Sequence, residues 1–203
     1  CKTPSDDQYI NAINLLDITD KPKTILELGC GFGRSLSFLS QLAEKVVAID
    51  ISEAMIEKAK KNNSHLKNIT YHIAEGEKIN YPDNYFDIII CYGVFDALYQ
   101  EQALCEMHRV IKNKGKLLLT GKNDNYNSTD KKALTAEINS RKKNHPNFFT
   151  NVYFVLKNIN EFGFKVHYSH FFEMRGDASL NRYVESMPDI FYEFRLILEK
   201  NGP

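Results

Sequence analysis

The sequence predicts an α/β fold built on a largely parallel sheet, and three observations carry that prediction. Short apolar runs alternate with helical patterns: Thr24–Leu28, Val46–Ile49, Ile69–Ile73, Phe86–Cys91 and Lys116–Thr120 read as strands buried on both faces. The first run ends in three alternating glycines, Gly29, Gly31 and Gly33. The second ends in Asp50, 21 positions after Gly29. In nucleotide-binding α/β folds, a carboxylate at that distance, on the tip of the second strand, accepts hydrogen bonds from ribose hydroxyls.

Each element can be justified in turn. Residues 5–18 carry Ile10, Ile13 and Leu16 at helical spacing behind Ser5 to Asp7 as a cap, which suits a helix laid on the sheet. The glycines let the chain turn sharply and let a ligand approach backbone, while the following helix offers unpaired N–H groups. Tight strand-to-helix turns also use glycine for steric reasons alone. Leu36, Leu39 and Leu42 give the next helix its buried face, and Ser52 caps another that turns Ala54, Met55, Ile56 and Ala59 inward. Pro82, Asp83 and Asn84 turn into the fourth strand, Glu101–Ile111 forms an amphipathic helix, and N-K-G leads into the fifth strand. Residues 121–150 then interrupt the sheet with a polar turn and a helical run, Asp130–Lys143, placed to cover the strand ends as a lid. A helix over Asn151–Glu161 and strands over Lys165–Phe172 and Tyr192–Leu198 complete the chain.

Composition bounds the function. The 203 residues, 43% of them hydrophobic, suit one domain with a sizeable core. The 26 basic and 26 acidic residues cancel, so no global field favours nucleic acid or an anionic membrane. With no apolar run long enough to span a bilayer and no signal-peptide pattern, the expectation is a soluble, cytoplasmic monomer or homodimer. Cys1, Cys30, Cys91 and Cys105 form no C-x-x-C pair and no metal-ligand spacing, so free thiols and no metal are expected.

Glu27 followed by Gly29, Gly31 and Gly33 resembles the first motif of the class I S-adenosylmethionine (SAM) dependent methyltransferases, an acidic residue and then three alternating glycines. A dinucleotide oxidoreductase would carry G-x-G-x-x-G, and Arg34 stands where its third glycine belongs. The resemblance extends over residues 24–120. Glu75 and Gly76 take the positions of the family's second signature, where a carboxylate meets the adenine amino group and the next N–H a ring nitrogen; the family more often has Asp at the first. Ile51 and Met55 fall where the family has an apolar platform for adenine. Cys91 ends the fourth strand, where cofactor and acceptor meet, and E-M-H-R-V-I-K-N-K-G follows the family's pattern into the fifth strand.

The resemblance implies a Rossmann-like three-layer αβα sandwich, with a mostly parallel seven-stranded sheet, an antiparallel last strand and a small helical lid. It implies SAM as cofactor, held by Glu27, Gly29, Gly31, Gly33, Asp50, Ile51, Met55, Glu75, Gly76 and Cys91. Tyr9 either reaches the methionine end of the cofactor or packs. The activity implied is in-line transfer of the SAM methyl group to a small-molecule acceptor, with oxygen as the first acceptor atom and S-adenosylhomocysteine released. Transfer of another SAM-derived group, or a catalytically silent partner subunit on the same fold, stands beside it. A general base would help an oxygen acceptor, and Asp96 and His145 are the candidates, with Glu173 and Tyr183 behind them. Lys122, Lys131, Lys132, Arg141, Lys142, Lys143 and His145 make the lid locally basic, which suits an acidic or phosphorylated acceptor or a solvated helix face.

Overall fold

The computed structural model describes residues 4–142 and 148–202. Its elements are α1 (Pro4–Asn14), β1 (Thr24–Leu28), α2 (Leu36–Leu42), β2 (Lys45–Asp50), α3 (Glu53–Asn62), β3 (Ile69–Ile73), β4 (Phe86–Cys91), α4 (Gln100–Val110), β5 (Ile111–Lys122), α5 (Lys131–Lys142), α6 (Val152–Lys157), β6 (Phe164–Phe172) and β7 (Glu193–Lys200). The strands form one sheet in the order β3-β2-β1-β4-β5-β7-β6. Neighbours from β3 through β5 pair in parallel, and β7 alone runs antiparallel, between β5 and β6. The mixed seven-stranded sheet expected from the sequence is therefore present.

Two apolar layers hold it. On one face Ala12, Ile13 and Leu16 near α1, Leu36 and Leu39 of α2, and Ile56 and Ala59 of α3 pack on Ile25, Val46, Ala48, Ile88 and Ile90. On the other, Ala103, Leu104, Met107 and Val110 of α4 and Val152 and Val155 of α6 cover Leu26, Val47, Ile89 and Leu117. Each such side chain contributes about 1.5 to 3 kcal/mol on full burial. Because the central strands are covered on both faces, they are continuously apolar rather than alternating.

Several boundaries differ from the sequence reading. The first helix stops at Asn14 because the chain turns through Asp17, whose φ is 47°, although Leu16 still reaches the core. The fourth helix stops at Val110, since Ile111 is already extended, and β5 absorbs the N-K-G segment that was expected to cap the helix. The glycine there is needed for space: a Cβ on Gly115 would lie 2.8 Å from the Lys112 carbonyl oxygen. The sixth helix is shorter than expected, ending at Lys157.

Order reverses about β1, whose neighbours β2 and β4 lead away in opposite directions. That switch point opens a crevice above the C-terminal ends of β1 and β4. At the opposite end Lys200 locks the sheet. Its ammonium donates to the His108 carbonyl (2.7 Å), the Ile111 carbonyl (2.9 Å) and Asn84 Oδ1 (2.9 Å), joining β7 to the α4–β5 junction and to the turn before β4. Burial pushes its pKa down, and those three acceptors keep the cation solvated by protein. Lys200→Met leaves two carbonyls without that donor, and urea unfolding is expected to show a loss of about 2 to 3 kcal/mol. Unchanged stability would mean that water replaces the ammonium without cost.

Candidate cofactor cleft and acceptor pocket

The glycine loop is set by β1 and β2. Gly29 and Cys30 donate their N–H groups to the Ile49 carbonyl at 2.8 and 2.9 Å, and all three alternating glycines have positive φ, 73°, 53° and 77°. Their neighbourhoods differ. A Cβ on Gly29 would meet Val94 at 2.7 Å, and one on Gly33 would meet Asn63 Nδ2 at 2.6 Å and Leu36 at 2.9 Å. A Cβ on Gly31 would meet nothing within 4 Å. Gly29 and Gly33 thus let other elements close on the loop, and Gly31 faces the open side where a ligand would approach.

Asp50 fixes the loop from the neighbouring strand. One carboxylate oxygen accepts from Gly31 N–H at 2.8 Å and the other from Ser52 N–H at 2.9 Å. Each oxygen keeps lone-pair capacity for a further donor. The cleft beside it, about 390 Å³, is lined by Leu28, Gly29, Asp50, Ile51, Glu75, Gly76, Val94 and Leu98 among others. Ile51, 70% exposed, supplies an uncovered apolar face. Two carboxylates that can accept hydrogen bonds, at Asp50 and Glu75, with an apolar face at Ile51 between them, are the arrangement suited to the hydroxyls of a ribose and the amino group of a purine.

Glu27 lies behind the loop, buried in β1. Its Oε1 accepts from the Tyr9 hydroxyl (3.1 Å) and from the Ser35 hydroxyl, whereas its Oε2 is buried without a partner. Burial pushes the Glu27 carboxyl up to about 7 against the hydrogen bonds from Ser35 and Tyr9. Tyr9 is held edge-on to Tyr92, with ring centroids 5.2 Å apart, so it packs and hydrogen-bonds at once.

A second, smaller pocket of about 180 Å³ lies over the ends of β4, β5 and β7. Gln8, Tyr92, Asp96, Lys122, Glu193 and Arg195 face it. Asp96 Oδ1 accepts from the Lys122 N–H at 2.9 Å, and its Oδ2 lies 3.3 Å from the Lys122 ammonium. Burial pushes its pKa up all the same.

Several sequence-derived assignments change. The Cys91 side chain is fully buried in the core and lines neither cavity; burial raises its thiol pKa strongly, because β4 points that side chain under α4. Met55 lies on the exposed side of the first turn of α3, 40% exposed and outside the cleft lining, and Ala54 is exposed with it; of the side chains expected to turn inward, Ile56 and Ala59 do so. Gly33 serves the contact of the loop with α3. Glu173 is exposed, and Tyr183 stacks on His170 with centroids 3.7 Å apart; neither lines the Asp96 pocket. His145 lies outside the described residues. Of the segment 121–150, Lys122 reaches the smaller pocket and Phe148 the larger.

The sequence reading missed Tyr99, whose ring stacks on that of Phe148 with centroids 5.9 Å apart beside the cleft, and Arg195. The available signal for Arg195 was a lone cation inside the apolar run F-R-L-I-L.

Residues 26–119 match the family model described as a methyltransferase domain. Over this segment the chain is similar to methyltransferase domains. The cofactor of such domains is SAM. Over 104 residues the chain is 35% identical to the ubiquinone/menaquinone biosynthesis C-methyltransferase UbiE of Escherichia fergusonii, covering 48% of this chain and 41% of that protein. The match thus spans less than half of that curated relative. In fold, the chain is similar to an S-adenosylmethionine dependent methyltransferase from Mesorhizobium loti (TM-score 0.75, 16% identity, covering 95% of this chain and 97% of that one). It is also similar to the N-methyltransferase NodS of Bradyrhizobium japonicum solved with S-adenosylhomocysteine (TM-score 0.70, 13% identity, covering 99% and 89%). Among the described residues no cluster of side chains suits a metal ion, and no helix is long and apolar enough to cross a membrane.

Two predictions follow from this geometry. The raised folded-state pKa of Glu27 means that its contribution to stability is fully present below about pH 4.5 and is lost as pH rises through about 7. Glu27→Gln is therefore expected to flatten thermal stability across that window and to stabilise the ligand-free chain at pH 8 by up to about 3 kcal/mol; an unchanged pH profile would place the ionisation elsewhere. Gly33→Ala is expected to destabilise the fold more than Gly31→Ala, because only the first adds a clash to the positive-φ strain. Thermal melts of both variants check the order.

Proposed function

We propose that the chain is an enzyme that transfers the methyl group of SAM to a small-molecule acceptor by in-line displacement, releasing S-adenosylhomocysteine. The single observation that supports this most is the shared wall between the two cavities. Val94 and Ala97 line the larger cleft while Gly93 and Asp96, in the same short segment after β4, line the smaller pocket. An acceptor in the smaller pocket would thus border the cofactor without a path through bulk solvent.

When bound, SAM supplies a methyl group already activated by sulfonium charge, so the protein has mainly to position and to exclude water. In this reading Asp50 holds the ribose hydroxyls, Ile51 supports one face of the adenine, and Glu75 with the Gly76 N–H reads its edge. The unpartnered Glu27 Oε2 is suited to the cationic end of the methionyl moiety. At about 180 Å³ the smaller pocket falls below the roughly 300 to 1,000 Å³ of drug-sized sites, which favours a compact acceptor. The oxygen acceptor anticipated from the sequence would deliver its proton to Asp96, held in place by Lys122. The segment 121–150 acts as the lid, with Phe148 closing beside Tyr99.

Isothermal titration with SAM, with S-adenosylhomocysteine and with NAD tests the cofactor. Micromolar binding of the sulfur compounds and none of NAD is expected, and Asp50→Ala is expected to weaken it by about 1 to 3 kcal/mol. Equal affinity in the variant would remove Asp50 from the ribose contact, and no binding to either sulfur compound would overturn the cofactor reading.

A further inference from the structure

Two groups of opposite charge face the smaller pocket, and one of them carries an unsatisfied donor. Arg195 is 3% exposed, lies against the Phe172 ring (5.1 Å from guanidinium carbon to centroid) and beside the Tyr92 hydroxyl, yet its buried Nε–H has no acceptor. Burying a guanidinium with a donor unsatisfied is costly, and an anionic ligand group would remove that cost. Glu193, two residues earlier, shares the same face of β7. Its neighbours Arg175, Lys122 and Arg195 act on its carboxylate through charge at a distance, while burial disfavours its ionised form. A cationic N–H donor from a ligand would offset that penalty.

The surroundings fix both groups. Arg195 is opposite Thr120 on β5 and His170 on β6, and Glu193 is opposite Lys122 and Phe172. Lys122 is already engaged by Asp96. Both charges therefore sit on a paired central strand rather than on a mobile loop, the kind of support that gives a site its precision.

We propose that the smaller pocket takes a small zwitterion of the amino-acid class, its carboxylate toward Arg195 and its amine toward Glu193. This rests on the methyltransferase reading above and replaces oxygen by the amine nitrogen as the acceptor atom. The transfer balances: the bound ammonium first gives one proton to a pocket carboxylate and on to water, the freed nitrogen lone pair forms the new N–CH3 bond, and the S–CH3 bond breaks with its electron pair kept by sulfur, which leaves as the neutral thioether.

The test is titration calorimetry on the full chain, first with S-adenosylhomocysteine and then, at saturation with it, with the standard amino acids, ethylamine, propionate and catechol. At least one amino acid is expected to bind at least about tenfold more tightly than ethylamine or propionate. Glu193→Gln is expected to weaken that amino acid about tenfold while leaving S-adenosylhomocysteine affinity within about twofold. Arg195→Lys provides the second variant, with the loss expected in the carboxylate-bearing ligands and not in ethylamine. Binding of catechol without any amino acid, single-charge ligands matching the zwitterions, or silence of the whole panel on the S-adenosylhomocysteine complex would each overturn the proposal. Failure of S-adenosylhomocysteine itself to bind would instead overturn the cofactor reading.

Discussion

Asp50 ties the glycine loop after β1 to the turn after β2, and the cleft has its shape because of those two contacts. One oxygen holds Gly31 N–H and the other Ser52 N–H, so a single side chain sets the spacing between two loops that would otherwise move independently. Both donors are backbone groups to an ionised acceptor, a class of hydrogen bond stronger than a neutral pair. The platform at Ile51 follows from this, because it sits between the anchored Asp50 and the anchored Ser52. Preorganisation of this sort means that little ordering remains for a ligand to impose.

Behind the loop the protein tolerates an expense. Glu27 in the middle of a buried parallel strand brings a carboxyl into the core with one oxygen unserved, where an apolar residue would pack without penalty. Tyr9 and Ser35 both reach its other oxygen, drawing α1 and the start of α2 onto the back of the glycine turn. A carboxyl kept at a cost directly behind the glycine loop is a departure from ordinary core packing.

Much of the fold was legible because its central strands, β1, β2 and β4, are buried on both faces and so announce themselves as apolar runs. The candidate cleft was legible for a different reason: Gly31, Asp50 and Glu75 are local features of strand ends, and parallel pairing carries β1, β2 and β3 to the same edge in register. The misplacements have physical causes. Met55 was read as a cofactor residue because it falls at the family's apolar platform, and Cys91 because it ends the fourth strand, but rotation about α3 and alternation along β4 turn them elsewhere. Arg195 and Phe148 belong to the site only through pairings of high sequence separation, β5 with β7 and Phe148 N–H with the Asp96 carbonyl, which no local pattern encodes.

The excursion that follows β5 leaves and returns through one point. Asn123 bridges to Thr150 in parallel, with Thr150 N–H on the Lys122 carbonyl (2.8 Å) and Asp124 N–H on the Thr150 carbonyl (2.9 Å). A loop pinned at its neck can be lengthened at small entropic cost, since closure depends only weakly on the number of residues enclosed. The sheet below would not register such a change. The fold therefore carries, between Asn123 and Thr150, a segment whose length can change without renegotiating the parallel core.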